Sequence, residues 1–335
     1  MKNVFSALLA ALMLVGILTG CTNQAEMPTV TATPAGSQAQ PTADEKIRIV
    51  TTIFPEYDWV REILGDKADS AEITMLLDKG VDLHSYQPTA DDLIKISDCD
   101  LFVYVGGESD GWVDDALKNA TNKNRKVINL LETLGDSVKE EETVEGMQEE
   151  EEDHEEKEYD EHVWLSLKNA KTLVGAISAA LQELDPGNKD TYATNAAAYI
   201  EKLSALDGEY QAAVSAGTYK TLLFGDRFPF RYLVDDYGLS YYAAFVGCSA
   251  ESEASFETVS FLARKVEEGK LPCVLTIEGK NHKIAETIVQ NTAGKNQKVL
   301  TMDSMQSTTS QDVARGTTYL SLMAKNLDVL KEALG

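Results

Sequence analysis

KIRIVTTIFPEYDWVREILGDKADSAEITMLL, from Lys46 to Leu77, decides the fold. KIRIVTTIF is rich in β-formers, YDWVREILG has helical spacing and stops on Gly65, and AEITMLL is rich in β-formers again. The rhythm continues through the strand-like DLFVYVG, a short helix around Trp112 to Leu117 and the strand-like KVINLL. Alternation of this kind predicts an α/β lobe with a largely parallel sheet, assigned to residues 46–187. Ligands of such sheets sit on the loops beyond the carboxyl ends of the strands. His84 lies in one of these loops, after Ile73 to Leu77. Pro88 and the candidate N-cap Thr89, with Asp92 three residues on, start a helix immediately behind it.

Two helical stretches follow farther on. LKNAKTLVGAISAALQEL stops before Asp185-Pro186-Gly187, and DTYATNAAAYIEKLSALDGEYQAAVSA runs from Asp190 to Ala216 with apolar residues at helical spacing. The second, assigned as a linking helix over residues 188–216, is about 40 Å long at about 1.5 Å per residue, enough to cross from one lobe to another. Beyond it come KTLLFG, FRYLVDDYG, SYYAAF, SFETVSFLARKVEEG, PCVLTIEG, HKIAETIVQNT, KVLTMD and a closing helix from Val313 to Leu334. These predict a second α/β lobe over residues 217–335. The expected architecture is two Rossmann-like lobes with largely parallel sheets, joined by one long rigid helix.

The 335 residues carry a formal net charge of -25, with 43% hydrophobic and 25% charged residues, a globular composition. Between Lys139 and Glu161 fourteen acids face two lysines, so one segment holds about half of the excess. It has no apolar periodicity and reads as a solvated loop over residues 139–161. With no basic stripe to neutralise phosphates, nucleic acid is excluded as a partner. A carboxylate brush that includes His154 and ends on His162 attracts a divalent cation. Taken alone, the charge run reads more simply as a solvated face. His162, beside Val163 and Trp164, reads equally as a packed histidine with one ring nitrogen satisfied.

MKNVFSALLAALMLVGILTGC, residues 1–21, is a lysine followed by a short apolar run and small residues, the pattern of an export signal. Leu18-Thr19-Gly20-Cys21 resembles a bacterial lipobox, which makes Cys21 the lipidated first residue of the exported form. Residues 22–45, rich in Pro, Thr, Ala, Gln and Ser, read as a flexible tether. Of the remaining cysteines, Cys99 reads as a small core residue, and the sequence leaves open whether Cys248 and Cys273 pair. No CxxC or Cys-His spacing signals a thiolate zinc site.

Over nearly all of Lys46 to Leu334 the sequence resembles the zinc- and manganese-specific solute-binding lipoproteins of ABC importers, metal receptors of the cluster A-I type. GVDLHSYQPTADDLIKISDCDLFVYVG carries His84 where that family has its first metal ligand, and DEHVWLSLKNA carries His162 where it has its second. The acidic loop, with Glu152, Asp153, His154 and Glu155, resembles the charged insertion ahead of that ligand in zinc members and implies accessory metal capture. Asp303 in VLTMDSM resembles the fourth ligand. At the third the chain departs from the family, which offers His or Glu, because LLFGDRFPFRYLVDDYGL places Arg227 there. A guanidinium cannot bind a metal, and Asp226 is the nearest donor, so it is the expected third ligand, the alternative being that Asp226 pairs with Arg227. Glu278 is a further oxygen donor, and His282 reads as an exposed residue at a helix start.

Two imidazoles and carboxylates suit Zn²⁺ and also accept Mn²⁺ when more oxygens join. The resemblance therefore implies a non-enzymatic, monomeric receptor with its metal site in the cleft between the lobes. It would be lipid-anchored to the outer face of the bacterial cytoplasmic membrane and would deliver Zn²⁺, or Mn²⁺, to an ABC permease and its ATPase. The stiff linking helix implies only a small hinge motion. Loading is expected to fail as the histidines protonate near their usual pKa of about 6.5. Deleting Glu140 to Glu161 is expected to leave the primary site nearly intact. The competing classes are a manganese receptor, a secreted zinc metalloenzyme and a surface adhesin. The enzyme lacks an HExxH or a Ser-His-Asp candidate.

Overall fold

Among the described residues eight strands form two sheets of four. The first contains β1 (Ile47–Thr51), β2 (Ala71–Met75), β3 (Leu101–Tyr104) and β4 (Lys126–Asn129), in the order β2-β1-β3-β4. The second contains β5 (Thr221–Phe228), β6 (Ser240–Val246), β7 (Cys273–Ile277) and β8 (Lys298–Met302), in the order β6-β5-β7-β8. All pairs are parallel. Central β3 is buried along its whole length, whereas edge strands β2 and β4 are partly exposed, as helices covering both faces of a parallel sheet require. In each sheet the connection reverses direction beside the first strand, so a crevice opens at the carboxyl ends. The computed structural model describes residues 46–148, 158–249, 253–279 and 281–335. The expected signal segment with Cys21, the tether, and loop residues Glu152, Asp153, His154 and Glu155 lie outside them. Among the described residues no helix is long and apolar enough to cross a membrane.

The helix Leu167–Leu184 has the predicted bounds, with Ser166 accepting a hydrogen bond from the Asn169 N–H at its start. The linking helix runs Lys189–Ala216. Its buried residues Tyr192, Ala196, Tyr199, Leu203, Leu206, Tyr210 and Val214 recur every three or four positions along one face. That face packs on the first-lobe helix Phe54–Leu64 and on the second-lobe helix Tyr319–Leu334. The Tyr210 hydroxyl donates to the Met323 carbonyl at 2.7 Å. One continuous core runs through both lobes, and a smaller one lies under the helices Phe256–Gly269 and Lys283–Gln290.

Three local expectations change. The closing helix predicted from Val313 is split into Ser310–Ala314 and Tyr319–Leu334, because Gly316 takes φ +94° and Thr318 caps a new start on the Ser321 N–H. KVINLL divides into β4 and the helix Leu130–Leu134, where the Asn129 side chain accepts from the Glu132 N–H. β5 does not stop at Gly225. It continues to Phe228 with a register shift between Phe224 and Arg227, which puts Asp226 and Arg227 inside the strand.

Candidate metal centre

His84 occupies a single helical turn, Leu83–Ser85, after β2. Leu83 is buried beneath it, and Asp82 Oδ1 accepts from the His84 backbone N–H at 3.1 Å. The ring is oriented from behind, with Nδ1 2.8 Å from Ser109 Oγ and 3.5 Å from Glu161 Oε2. His162 is fully buried and precedes another one-turn helix, Val163–Leu165, whose three side chains are all core. Asp160 Oδ1 accepts from both the His162 backbone N–H (2.9 Å) and ring Nδ1–H (3.0 Å). Each imidazole is thus held through Nδ1 and presents Nε2, the arrangement that carboxylates hydrogen-bonded to the far ring nitrogen impose on metal-binding histidines.

The two Nε2 atoms face each other at 3.2 Å. Nitrogens each about 2.0–2.1 Å from a tetrahedral zinc ion would lie about 3.3 Å apart. One donor atom from each of His84, His162 and Cys248 lies within 4.8 Å of the other two. Gln306 Nε2 is 3.3 Å from His162 Nε2, and the opposite amide atom, Oε1, is buried without a partner. Gly247 is required here, since a Cβ would sit 3.0 Å from His162 Cε1 and 2.9 Å from the Phe228 carbonyl oxygen. Two ring nitrogens converging in a buried pocket, beside an amide oxygen with no donor, are a fit for a cation.

Neither carboxylate expected from the second lobe belongs to this group. Asp226 and Arg227 are neighbours in β5, but their side chains take different partners. The Asp226 carboxylate is consumed by Thr276 Oγ1 (2.6 Å), the Ile277 N–H (3.3 Å) and the Arg227 N–H (3.0 Å). Arg227 turns toward the first lobe, where its guanidinium pairs with Asp82 and Nη1 donates to the Ser249 carbonyl at 3.4 Å. Asp303 folds back on its own turn, accepting from the Met305 N–H at 2.8 Å. Met305 has φ 66°, and this reversal presents Gln306 rather than Asp303 to His162. Glu278 braces the same turn through the Ser304 N–H and Oγ, both at 2.7 Å. His282 is half-buried rather than exposed, with Nδ1 3.1 Å from Thr276 Oγ1.

The described ends of the acidic loop are not a solvated brush. Glu140 and Tyr159 form an antiparallel bridge, flanked by Asp160 N–H to the Lys139 carbonyl at 2.9 Å. Tyr232 clamps both stems, accepting from the Lys139 N–H and donating to the Asp160 carbonyl. Met147 is buried, the Gln148 N–H donates to the Ala244 carbonyl at 3.0 Å, and Glu142 pairs with Arg231 at 2.9 Å. Glu141 Oε1 accepts from the Cys248 N–H at 3.0 Å. Removing Glu140 to Glu161 would therefore strip away the supports of both histidines, contrary to the expectation of an intact site.

Burial dominates the electrostatics. It holds His84 neutral down to about 3, helped by His162 and Arg227, so proton competition at His84 begins far below the 6.5 expected of a free imidazole. Burial works against ionisation of Asp82, yet the Arg227 guanidinium keeps it below the usual carboxylate range. Burial likewise raises Glu161, against two hydrogen bonds from Ser109, and pushes Asp303 up to about 6 with Glu278 adding to it. Cys99, Cys248 and Cys273 are all free thiols, so the pairing left open does not occur. Cys248, Ser109, Asp160, Glu161 and Gln306 gave no sequence signal of a role. Only the position of Asp160 and Glu161 immediately before His162 could have pointed to them.

The family model described as "ZnuA: Zinc-uptake complex component A periplasmic" matches residues 49–333. The zinc-binding lipoprotein AdcA of Streptococcus pneumoniae is 34% identical over 299 residues, 88% of this chain and 57% of that protein. The chain thus spans little more than half the length of that relative. The high-affinity zinc uptake system protein ZnuA of Bacillus subtilis is 30% identical over 299 residues, 87% of this chain and 88% of the relative. The crystal structure of the Zn(II)-bound ZnuA-like domain of S. pneumoniae AdcA superposes with a TM-score of 0.68 at 32% identity, covering 87% of this chain and 99% of that one.

Proposed function

Because the chain belongs to the ZnuA family of zinc-uptake complex components, we propose that it is the extracytoplasmic receptor of an ABC importer, which captures Zn²⁺ in the cleft and delivers it to a membrane permease and its ATPase. One observation carries this reading: two imidazoles, each anchored through Nδ1, aim Nε2 at a common point 3.2 Å across. A buried pair of imidazoles held this way is set to share a cation between its Nε2 atoms. His84 and His162 bind the ion directly, while Asp160 and Glu161 fix the rings. The second lobe contributes its share from the turns after β6 and β8, so the ion stitches the lobes together. Lipidation at Cys21 keeps the receptor at the membrane, and His154 with Glu152, Asp153 and Glu155 raises the local cation concentration for capture. A manganese receptor would use the same cleft, but two nitrogens at zinc spacing and no carboxylate within the donor group favour zinc.

Metal analysis of the purified chain, followed by competition titration, tests the reading. One tightly bound zinc per chain is expected, with at least about 100-fold loss in both His84→Ala and His162→Ala, each removing a direct ligand. Wild-type affinity in both variants would end it.

A further inference from the structure

We propose that the Cys248 thiolate is the third metal ligand, completing an N₂S donor set that makes this receptor selective for borderline and soft cations such as Zn²⁺ and Cd²⁺ over Mn²⁺. This rests on the receptor reading above and adds to it the donor from the second lobe. Three independent features of the site converge on the sulfur. Donor atoms of His84, His162 and Cys248 all lie within 4.8 Å of one another, and neither Asp226 nor Asp303 contributes to the group. The thiol is free, so no disulfide competes for it. Its backbone is also fixed in place: Gly247 lets the strand end press against the His162 ring, and Glu141 Oε1 accepts from the Cys248 N–H at 3.0 Å.

The position of Arg227 explains why an oxygen donor is missing from β5. At that point the strand supplies a guanidinium, which pairs with Asp82 across the cleft and cannot ligate. The adjacent parallel strand β6 ends at Val246 beside Phe228, two residues before Cys248, so the neighbouring strand end takes over the role. Thiolate and imidazole together select zinc, whereas manganese prefers carboxylate, carbonyl and water oxygens.

Cobalt(II) titration of the full chain is decisive, because a sulfur ligand gives a near-ultraviolet charge-transfer band that nitrogen and oxygen ligands do not. One equivalent of cobalt is expected to produce this band together with tetrahedral visible bands. Cys248→Ser should keep stoichiometric binding and the visible bands, lose the charge-transfer band and weaken Zn²⁺ by about 10-fold or more, while Mn²⁺ binding changes far less. A wild-type chain that binds one cobalt through His84 and His162 without the band overturns the thiolate and leaves the receptor reading standing. A chain that binds neither cobalt nor zinc overturns both. A band that persists in Cys248→Ser places the sulfur elsewhere and also overturns the proposal.

Discussion

Asp160 holds His162 at two points, the backbone N–H and ring Nδ1, with a single carboxylate oxygen. Its own backbone is pinned by Tyr232 and Lys139, so removing the carboxylate should cost ring orientation rather than the chain's path. Asp160→Ala is expected to weaken zinc by about 10–100-fold with an unchanged circular dichroism spectrum, read by competition with a chromophoric chelator. A second buried carboxylate gives a pH prediction. Glu56 is fully buried, with Oε2 accepting from Thr52 and Ile53 and Oε1 unpartnered, and burial together with Asp110 raises its pKa to about 8. Between its ordinary value of 4.5 and about 8 the native state alone retains the proton, so stability falls as pH rises through that window. Glu56→Gln keeps an acceptor for the Thr52 and Ile53 donors and stays neutral. Thermal unfolding should find it close to wild type at pH about 4 and about 1–3 kcal/mol more stable at pH about 9. At this scale the sequence was half legible. The two histidines stood beside unmistakable helix starts, but Cys248 lies 86 residues beyond His162 and meets it where the turn after β6, at Gly247, packs on the His162 ring. Spacing along a chain cannot report such a meeting.

The linking helix shows how far a periodic pattern can be trusted. Its length was readable from unbroken helix formers, and its buried face from residues recurring every three or four positions. Leu203 sits at the middle of that face with no exposed surface. Leu203→Ala should therefore destabilise the fold by about 2–5 kcal/mol, measured by denaturant titration, and leave zinc stoichiometry at one. Where the pattern misled, one residue overrode it. Gly316 broke a helix that the apolar periodicity from Val313 to Leu334 had joined, and the register shift in β5 carried Asp226 and Arg227 into a strand. Turn chemistry and bulges depend on tertiary neighbours, which a local pattern does not contain.

The two lobes are bound to each other more tightly than a hinged clamp requires. Trp164 Nε1 donates to the Ser304 carbonyl at 2.9 Å, the Tyr319 N–H to Asp58 Oδ2 at 2.9 Å, and Trp59 meets Tyr319 edge to face at 5.2 Å. With a single core running through both, loading should shift loops around the cleft rather than swing whole lobes. Two parallel lobes and a long connector were legible in the sequence because alternating strands and helices leave few other arrangements. The docking of the acidic loop was not, since its charges masked the contacts its ends make. Replacing residues 149–157 with a Gly-Ser segment of equal length tests the loop's role without touching the stems. Primary zinc affinity should stay within about 3-fold, because none of the replaced residues is among the ligands or their supports, while weaker additional equivalents disappear from the titration.

The paired stems at Glu140 and Tyr159 have an engineering consequence. Because Glu141, Glu142 and Gln148 are tied to the second lobe and Met147 is buried, a graft confined to residues 149–157 leaves every one of those ties in place. A reporter peptide, an affinity tag or a longer histidine-rich cartridge could be spliced there and exchanged at will, leaving the cargo pocket unaware of the swap.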